Sequence, residues 1–297
     1  MRARVVRLSG VTPARRLRER LATGEVLLVG GAYNALVARI YERAGFEALY
    51  TGGYAAAAAN FALPDIGLMT QTEMCGHVER ISKAVSLPLV SDADTGFGEL
   101  TNVTRTVREY ERAGAAAIQI EDQTFPKRCG HMEGKKVIPR DEMVRKVRAA
   151  LAARANPDTV IIARTDAIAV NGLDDAIDRL SAYGEAGADV LFPDAPRSVE
   201  EMHAIAAAVG ERPLVANYSE HGKTPLLTAE ETAAAGFRIC LYPTTSLVAA
   251  AQSALEIATA LQRDRTSREV LDRLMVFGEL NELLGVSAWQ NAEEQAL

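Results

Sequence analysis

Short, almost wholly apolar runs alternate along this chain with longer stretches whose apolar residues recur at helical spacing. Four runs follow an Ala-Gly pair: FEALYTG after Ala44-Gly45, AAAIQIED after Ala113-Gly114, ADVLFPD after Ala186-Gly187 and FRICLYP after Ala235-Gly236. In the first three copies a tyrosine stands three residues before the alanine, at Tyr41, Tyr110 and Tyr183. Glycine ends a helix by taking the left-handed conformation that other residues resist, so each pair predicts a helix end with a strand behind it. Four more apolar runs, at 26–30, 88–92, 159–164 and 213–217, start the series and fill the gaps.

Strands that are apolar on both faces belong to buried parallel sheets. Eight of them in strict alternation with helices predict a (β/α)8 TIM-type barrel, one domain spanning 1–297 with the barrel at about 20–262. An open doubly wound sheet would carry a glycine-rich phosphate loop after its first strand, and GGAYNA lacks that pattern. The basic N-terminus reads as an amphipathic first helix, because it has no apolar core of a secretory signal. Beyond the barrel, residues 266–284 predict an extra C-terminal helix with Val270, Leu271, Leu274, Phe277, Leu280 and Leu284 on one stripe. That arm, about 263–297, packs on its own barrel or on a partner subunit.

Composition narrows the function classes. A net charge of -6 offers no basic footprint for nucleic acid. No apolar run is long enough to span a bilayer, so no membrane partner is expected. The three cysteines, Cys75, Cys129 and Cys240, are odd in number and unpaired in spacing, as in a reduced cytoplasmic enzyme.

Barrel chemistry collects at the carboxyl ends of the strands. Asp92 and Asp94 end the third strand, and Glu121 and Asp122 the fourth. Acids gathered at one mouth repel unless a cation joins them. Oxygen ligands without a His or Cys cluster favour Mg2+, with Mn2+ as an alternative. Alternation puts Asp92 and Asp94 on one side and separates Glu121 from Asp122, and Glu121 is the expected metal-facing acid. The loop after the fourth strand, QTFPKRCGHMEGKKVIP, is long for a barrel. In it Lys127 and Arg128 precede Cys129 and His131 follows two residues on, which predicts a reactive thiol, while Cys75 and Cys240 read as inert. Arg164, Asn217 and Ser219 are the donors expected for substrate carboxylates.

The segments SDADTGFGE, IEDQTFPKRCGH, ARTDA and LYP resemble the isocitrate lyase/phosphoenolpyruvate mutase superfamily, and KRCGH is similar to its 2-methylisocitrate and 2,3-dimethylmalate lyases. The resemblance implies a barrel, a Mg2+ ion, and a homotetramer that exchanges C-terminal helices. It implies a Mg2+-dependent carbon–carbon lyase that splits a small 2-hydroxy di- or tricarboxylate into pyruvate, or a related 2-oxo acid, and a carboxylate. It implies that Asp92 binds the metal, with Asp65, Asp94 and Glu121 holding it partly through water. Cys129 becomes the acid that protonates a carbanion, Tyr50 stands near the reacting hydroxyl, and Arg164 and Asn217 bind substrate.

Thr51, Gly52 and Gly53, with Gly130, His131, Asp194 and Ser219, complete the expected substrate contacts. Three departures from the pattern bear on substrate: Gly52 stands where a Ser or Thr is usual, Asp194 where the methylisocitrate lyases show Glu, and Val248 where they tend to carry Arg. The last favours a substituted malate over a tricarboxylate. Phosphonopyruvate or oxaloacetate cleavage, and a non-catalytic ligand-binding barrel, are the competing expectations.

Overall fold

The computed structural model describes residues 10–130 and 132–294. Its eight strands are β1 (Leu27–Gly31), β2 (Ala48–Thr51), β3 (Leu89–Asp92), β4 (Ala117–Glu121), β5 (Val160–Thr165), β6 (Val190–Pro193), β7 (Val215–Asn217) and β8 (Ile239–Tyr242). Every one overlaps an apolar run of the sequence. They form one parallel sheet in the order β6-β5-β4-β3-β2-β1-β8-β7. An isolated parallel bridge between Leu191 and Leu214 brings β6 to the segment before β7, so the barrel is nearly closed.

The helices are α1 (Pro13–Ala22), α2 (Ala35–Arg43), α3 (Gly53–Phe61), α4 (Gln71–Ser82), α5 (Leu100–Ala113), α6 (Arg140–Ala153) and α7 (Ala167–Val170). Then come α8 (Leu173–Glu185), α9 (Val199–Val209), α10 (Ala229–Ala234), α11 (Thr245–Asp264), α12 (Phe277–Leu284) and α13 (Val286–Glu294).

The Ala-Gly echo has the predicted geometry. Gly45, Gly114, Gly187 and Gly236 all take positive φ, between 88° and 105°. The echoed tyrosines have a structural role of their own. Tyr110 on α5 donates to the Asp92 carbonyl at 3.0 Å, and Tyr183 on α8 donates to Asp122 Oδ2 at 2.8 Å. Each ties a helix to the strand end that carries site residues. Tyr41 packs edge-on against Phe46 and lies where a side chain at Gly30 would fall.

The core has two layers. An outer layer packs the helices on the strands through residues such as Leu49, Ile118, Ile161 and Leu191. An inner layer fills the barrel with Val29, Tyr50, Val90, Ile162, Phe192, Val215 and Leu241. Helix α1 closes the bottom, burying Ala14 and Leu17 against that inner layer. Arg18 anchors it with bonds to the Asp158 and Thr159 carbonyls and to Asp189.

The C-terminal arm departs from the expected single helix. Arg265 ends α11 in a left-handed turn, and a 3-10 turn follows over Arg268–Arg273. Leu274 and Val276 are extended before α12, and Gly285, at positive φ, breaks α12 from α13. Val270 is buried, but Leu271, Leu274, Phe277, Leu284 and Trp289 are exposed, so the apolar stripe finds little of its own barrel to cover it. No helix among the described residues is long and apolar enough to cross a membrane.

Candidate active site

One cavity of about 230 Å³ opens at the carboxyl end of the barrel. Asp65, Asp92 and Glu121 line one part of its wall, the loop residues Lys127, Arg128, Cys129 and Gly130 another, and Arg164, Asn217 and Ser219 a third. Strand ends and one loop therefore bring these sequence-distant residues together.

The acids are buried. Asp92 is held by its neighbours: Oδ1 accepts from the Asp94 amide at 3.0 Å and from Gln119 Nε2 at 3.2 Å, and Oδ2 from the Gly53 amide at 3.2 Å. Asp94 sits at φ 47°, a left-handed position that Asp tolerates better than most residues and that its bond to Asp92 supports. Burial pushes the Asp94 carboxyl up to about 6, against the pull of Lys127. Burial also raises Glu121 well above the usual carboxylate range, despite Arg164. Glu121 Oε1 is buried with no hydrogen-bond partner among the described residues. Acids this crowded and this dry call for a cation.

In the structure the nearest cation is Lys127. Its ammonium lies 2.6 Å from Asp65 Oδ1 and 2.8 Å from Asp94 Oδ1. Asp94 Oδ1 is buried and held by this ion pair. Burial disfavours the charged lysine, but Asp94, Glu121, Asp92 and Asp65 together outweigh it. Gly53 makes room for this group: a Cβ there would lie 3.1 Å from Asp94 Oδ1 and 3.2 Å from Lys127 Nζ.

No three acids among the described residues converge as a ready metal cage. The oxygen-only lining of Asp65, Asp92 and Glu121, with the unpartnered Glu121 Oε1, is nonetheless the chemistry that suits a hard divalent ion such as Mg2+.

Beside these acids lies a second ion cluster. Arg164 binds Asp166 through two bonds of 2.9 and 3.0 Å and approaches Glu121 Oε2 and Asp194 Oδ2 at 3.3 Å each. Its guanidinium lies over the Phe192 ring, 5.1 Å from the centroid. Burial opposes ionisation of Asp166, but Arg164 and Lys135 outweigh it and hold the acid below its ordinary range. Asp122, by contrast, points away from the cavity, bonded to Thr165, the Asp166 amide, Arg179 and Tyr183.

The loop is closed over this floor. Its stem pairs Gln123 with Val137, and Gln123 clasps Arg128 through both the amide nitrogen at 2.9 Å and the carbonyl at 2.8 Å. The Cys129 amide donates to the Asp65 carbonyl at 3.1 Å, which fixes the half-buried Cys129 on the same cavity as Asp92.

With that geometry in place, a profile of the phosphoenolpyruvate phosphomutase family matches residues 17–262. The chain belongs to this family. Among its relatives, the 2,3-dimethylmalate lyase of Eubacterium barkeri is 44% identical over 280 residues, 94% of this chain and 96% of that one. The 2-methylisocitrate lyase of Aeropyrum pernix is 43% identical over 279 residues, 94% of this chain and 89% of that one. A crystal structure of a 2,3-dimethylmalate lyase matches with TM-score 0.90 and 37% identity, covering 96% of each chain. Phosphonopyruvate hydrolase in complex with oxalate and Mg2+ matches with TM-score 0.86 and 34% identity, over 96% of this chain and 99% of that one.

For this member of the phosphoenolpyruvate phosphomutase family, two residues, Thr51 and Lys127, are placed otherwise than the sequence implies. Thr51 does not line the cavity: its hydroxyl is buried against His77 Nε2 at 3.0 Å. Alternation along β2 sends Tyr50 inward and Thr51 outward. Asp194 does line the cavity, with Oδ1 accepting from Asn217 Nδ2 at 3.3 Å and Oδ2 facing Arg164 and Lys135. Lys127 gives its charge to Asp65 and Asp94, where the sequence placed it as a neighbour of the thiol. His131 lies outside the described residues.

Gly52 has a reason to lack a side chain, since a Cβ there would press into the Tyr50 ring at 2.7 Å. Burial raises the Tyr50 phenol above its usual range, so it stays protonated. Burial likewise lifts the Cys75 thiol to about 11 and raises Cys240, in line with inert roles. Two residues escaped sequence reasoning, Lys135 and His77. Neither lies at a strand end, and the only signal for either was a Lys pair late in the loop.

Proposed function

We propose that this chain is a Mg2+-dependent carbon–carbon lyase that cleaves a 2-hydroxy dicarboxylate of the 2,3-dimethylmalate type into pyruvate, or a related 2-oxo acid, and a carboxylate. The observation that carries the reading is one cavity in which the Asp92 acid cluster and Arg164 share walls with Cys129. A homotetramer and a cytoplasmic setting belong to the same proposal. The exposed apolar stripe on the C-terminal arm supports exchange of that arm between subunits.

The residues divide the work. Arg164, its Nε and Nη2 already held by Asp166 and its guanidinium seated on Phe192, offers Nη1 to a substrate carboxylate. Asn217 and Ser219 line the same wall and supply further polar contacts. Asp92, with Asp65, Asp94 and Glu121 through water, would hold Mg2+, which when bound supplies a Lewis acid for the oxygen that becomes a carbonyl. The hydroxyl proton passes to a carboxylate of the Asp65–Asp92–Glu121 wall, the adjacent C–C bond breaks as the C=O bond forms, and the electron pair passes to the carbon that bears the departing carboxylate. Cys129 delivers its thiol proton to that carbon. The closed loop keeps water from competing for the carbanion.

Tyr54, Leu241, Pro243 and Val248 give the cavity apolar surface that suits alkyl substituents, and Val248 stands where a cation for a third carboxylate is expected.

The test is a screen with Mg2+ for 2-oxo acid release from 2,3-dimethylmalate, 2-methylisocitrate, isocitrate, oxaloacetate and phosphonopyruvate. Release from dimethylmalate ahead of the tricarboxylates is expected. Turnover of oxaloacetate or phosphonopyruvate alone, or binding without release of any product, contradicts the proposal.

A further inference from the structure

Lys135 stands in the descending arm of the loop, five residues past Gly130, and its side chain is buried. Its ammonium has three acceptors: the Gly130 carbonyl at 2.5 Å, Asp166 Oδ1 at 2.7 Å and Asp194 Oδ2 at 3.4 Å. An ammonium has three N–H donors, so all of its capacity is used. Burial disfavours this charge, and Asp166 and Asp194 more than restore it.

The backbone repeats the message independently. A Cβ at Gly130 would collide with Asp194 Oδ2 and Arg164 Nη2, so the loop backbone rests directly on the Arg164–Asp166–Asp194 cluster. Three acids meet there, Glu121, Asp166 and Asp194, and Arg164 and Lys135 are the two cations that face them. Lys135 is the member of this set that belongs to the loop.

We propose that Lys135 is a positioning residue that clamps the Cys129–Gly130 segment onto the barrel mouth. It takes no part in bond making. It links the loop backbone to Asp194, and Asp194 in turn orients Arg164 and Asn217. The closed loop and the carboxylate-binding donors are therefore set by one side chain. Loss of the clamp frees the Gly130 carbonyl, lets the loop lift, and leaves the three acids with Arg164 alone. The catalytic consequence rests on the lyase reading above; the loop consequence does not.

The experiment compares wild type with Lys135→Met and Lys135→Gln under native conditions. Cleavage after Glu133 by a glutamate-specific protease, without substrate, reads loop opening. Removing three charge-assisted bonds should speed it about tenfold or more in Lys135→Met, with the rest of the chain as resistant as before. Lys135→Gln keeps neutral donors and should fall between. If Lys135→Met melts without cooperativity, Lys135→Gln alone decides, with faster cleavage than wild type expected.

Where a 2-hydroxy acid is turned over, kcat should fall about 100-fold in Lys135→Met while Mg2+ affinity measured by calorimetry stays within about twofold. Loop cleavage within about twofold of wild type in both variants overturns the clamp, whatever the substrate proves to be. Faster cleavage in an enzyme that turns over no 2-hydroxy acid leaves the clamp standing and sinks the lyase reading instead.

Discussion

His77 offers a prediction whose size follows from the structure. It lies buried on α4, with Nδ1 facing Asn60 Nδ2 at 3.2 Å and Nε2 at 3.0 Å from the Thr51 hydroxyl. Asn60 Nδ2 also donates to the Ala56 carbonyl, so Nδ1 is the acceptor and the ring proton sits on Nε2. Burial, with help from Arg80, lowers the His77 pKa to about 4. The unfolded chain therefore takes up a proton near pH 6.5 that the folded chain refuses until about pH 4. Stability from neutral His77 is complete above the unfolded value and is lost as pH falls through this window.

From about pH 8 to about pH 5, linkage gives a loss of ~2 kcal/mol. Asp94 runs the other way, because its folded pKa is raised to about 6. Its proton stabilises the fold as pH falls from there toward its unfolded value. That contribution is shared by wild type and variant, so it cancels in a comparison.

The perturbation is His77→Gln, and the assay is urea denaturation in chelator at both pH values. The variant should be less stable overall, through lost packing. Its loss of stability on acidification should be smaller than wild type's by ~2 kcal/mol. Equal pH dependence in the two proteins would refute the reasoning and put the His77 pKa near its unfolded value.

The remaining predictions concern charge and substrate. Mg2+ should raise the melting temperature more at about pH 7 than at about pH 5, because the Asp94 proton competes with the ion below about 6; an equal shift at both values, followed by calorimetry, counts against the acid cluster as the metal site. Lys127→Met should cost up to about 3 kcal/mol in chelator, since Asp65 and Asp94 lose a buried cation, and denaturation with saturating Mg2+ should recover much of the loss. A variant as stable as wild type in chelator would show that those acids do not need the lysine. Val248→Arg should shift kcat/KM toward 2-methylisocitrate over 2,3-dimethylmalate by about tenfold or more, as a charge-assisted pair to a third carboxylate would give; an unchanged ratio places the specificity wall elsewhere.

The fold was legible because its signals are local. Ala-Gly helix ends and apolar runs are written in consecutive residues, and all eight strands follow them. The acids at strand ends were legible for the same reason: strand alternation separates Glu121, on the cavity, from Asp122, bonded outward to Tyr183. Alternation along β2 likewise turns Thr51 away from the cavity and onto His77, a placement that its position beside Gly52 and Gly53 does not reveal. Loop side chains follow no period. Nothing in KRCGHMEGKK tells which lysine reaches which acid, and the structure sends Lys127 to Asp65 and Lys135 to Asp166. The C-terminal arm is not the single helix expected over 266–284, because a 3-10 turn over Arg268–Arg273 and extended residues at Leu274 and Val276 interrupt it before α12.

The central claim is that an acid-held divalent ion and the Cys129 thiol act on the same substrate across one cavity. Its most direct test is pyruvate release from 2,3-dimethylmalate by Cys129→Ser at saturating Mg2+. The account predicts a fall in kcat of about 10²–10⁴-fold with Mg2+ binding intact, the range for loss of a general acid. Turnover by Cys129→Ser at the wild-type rate would contradict it.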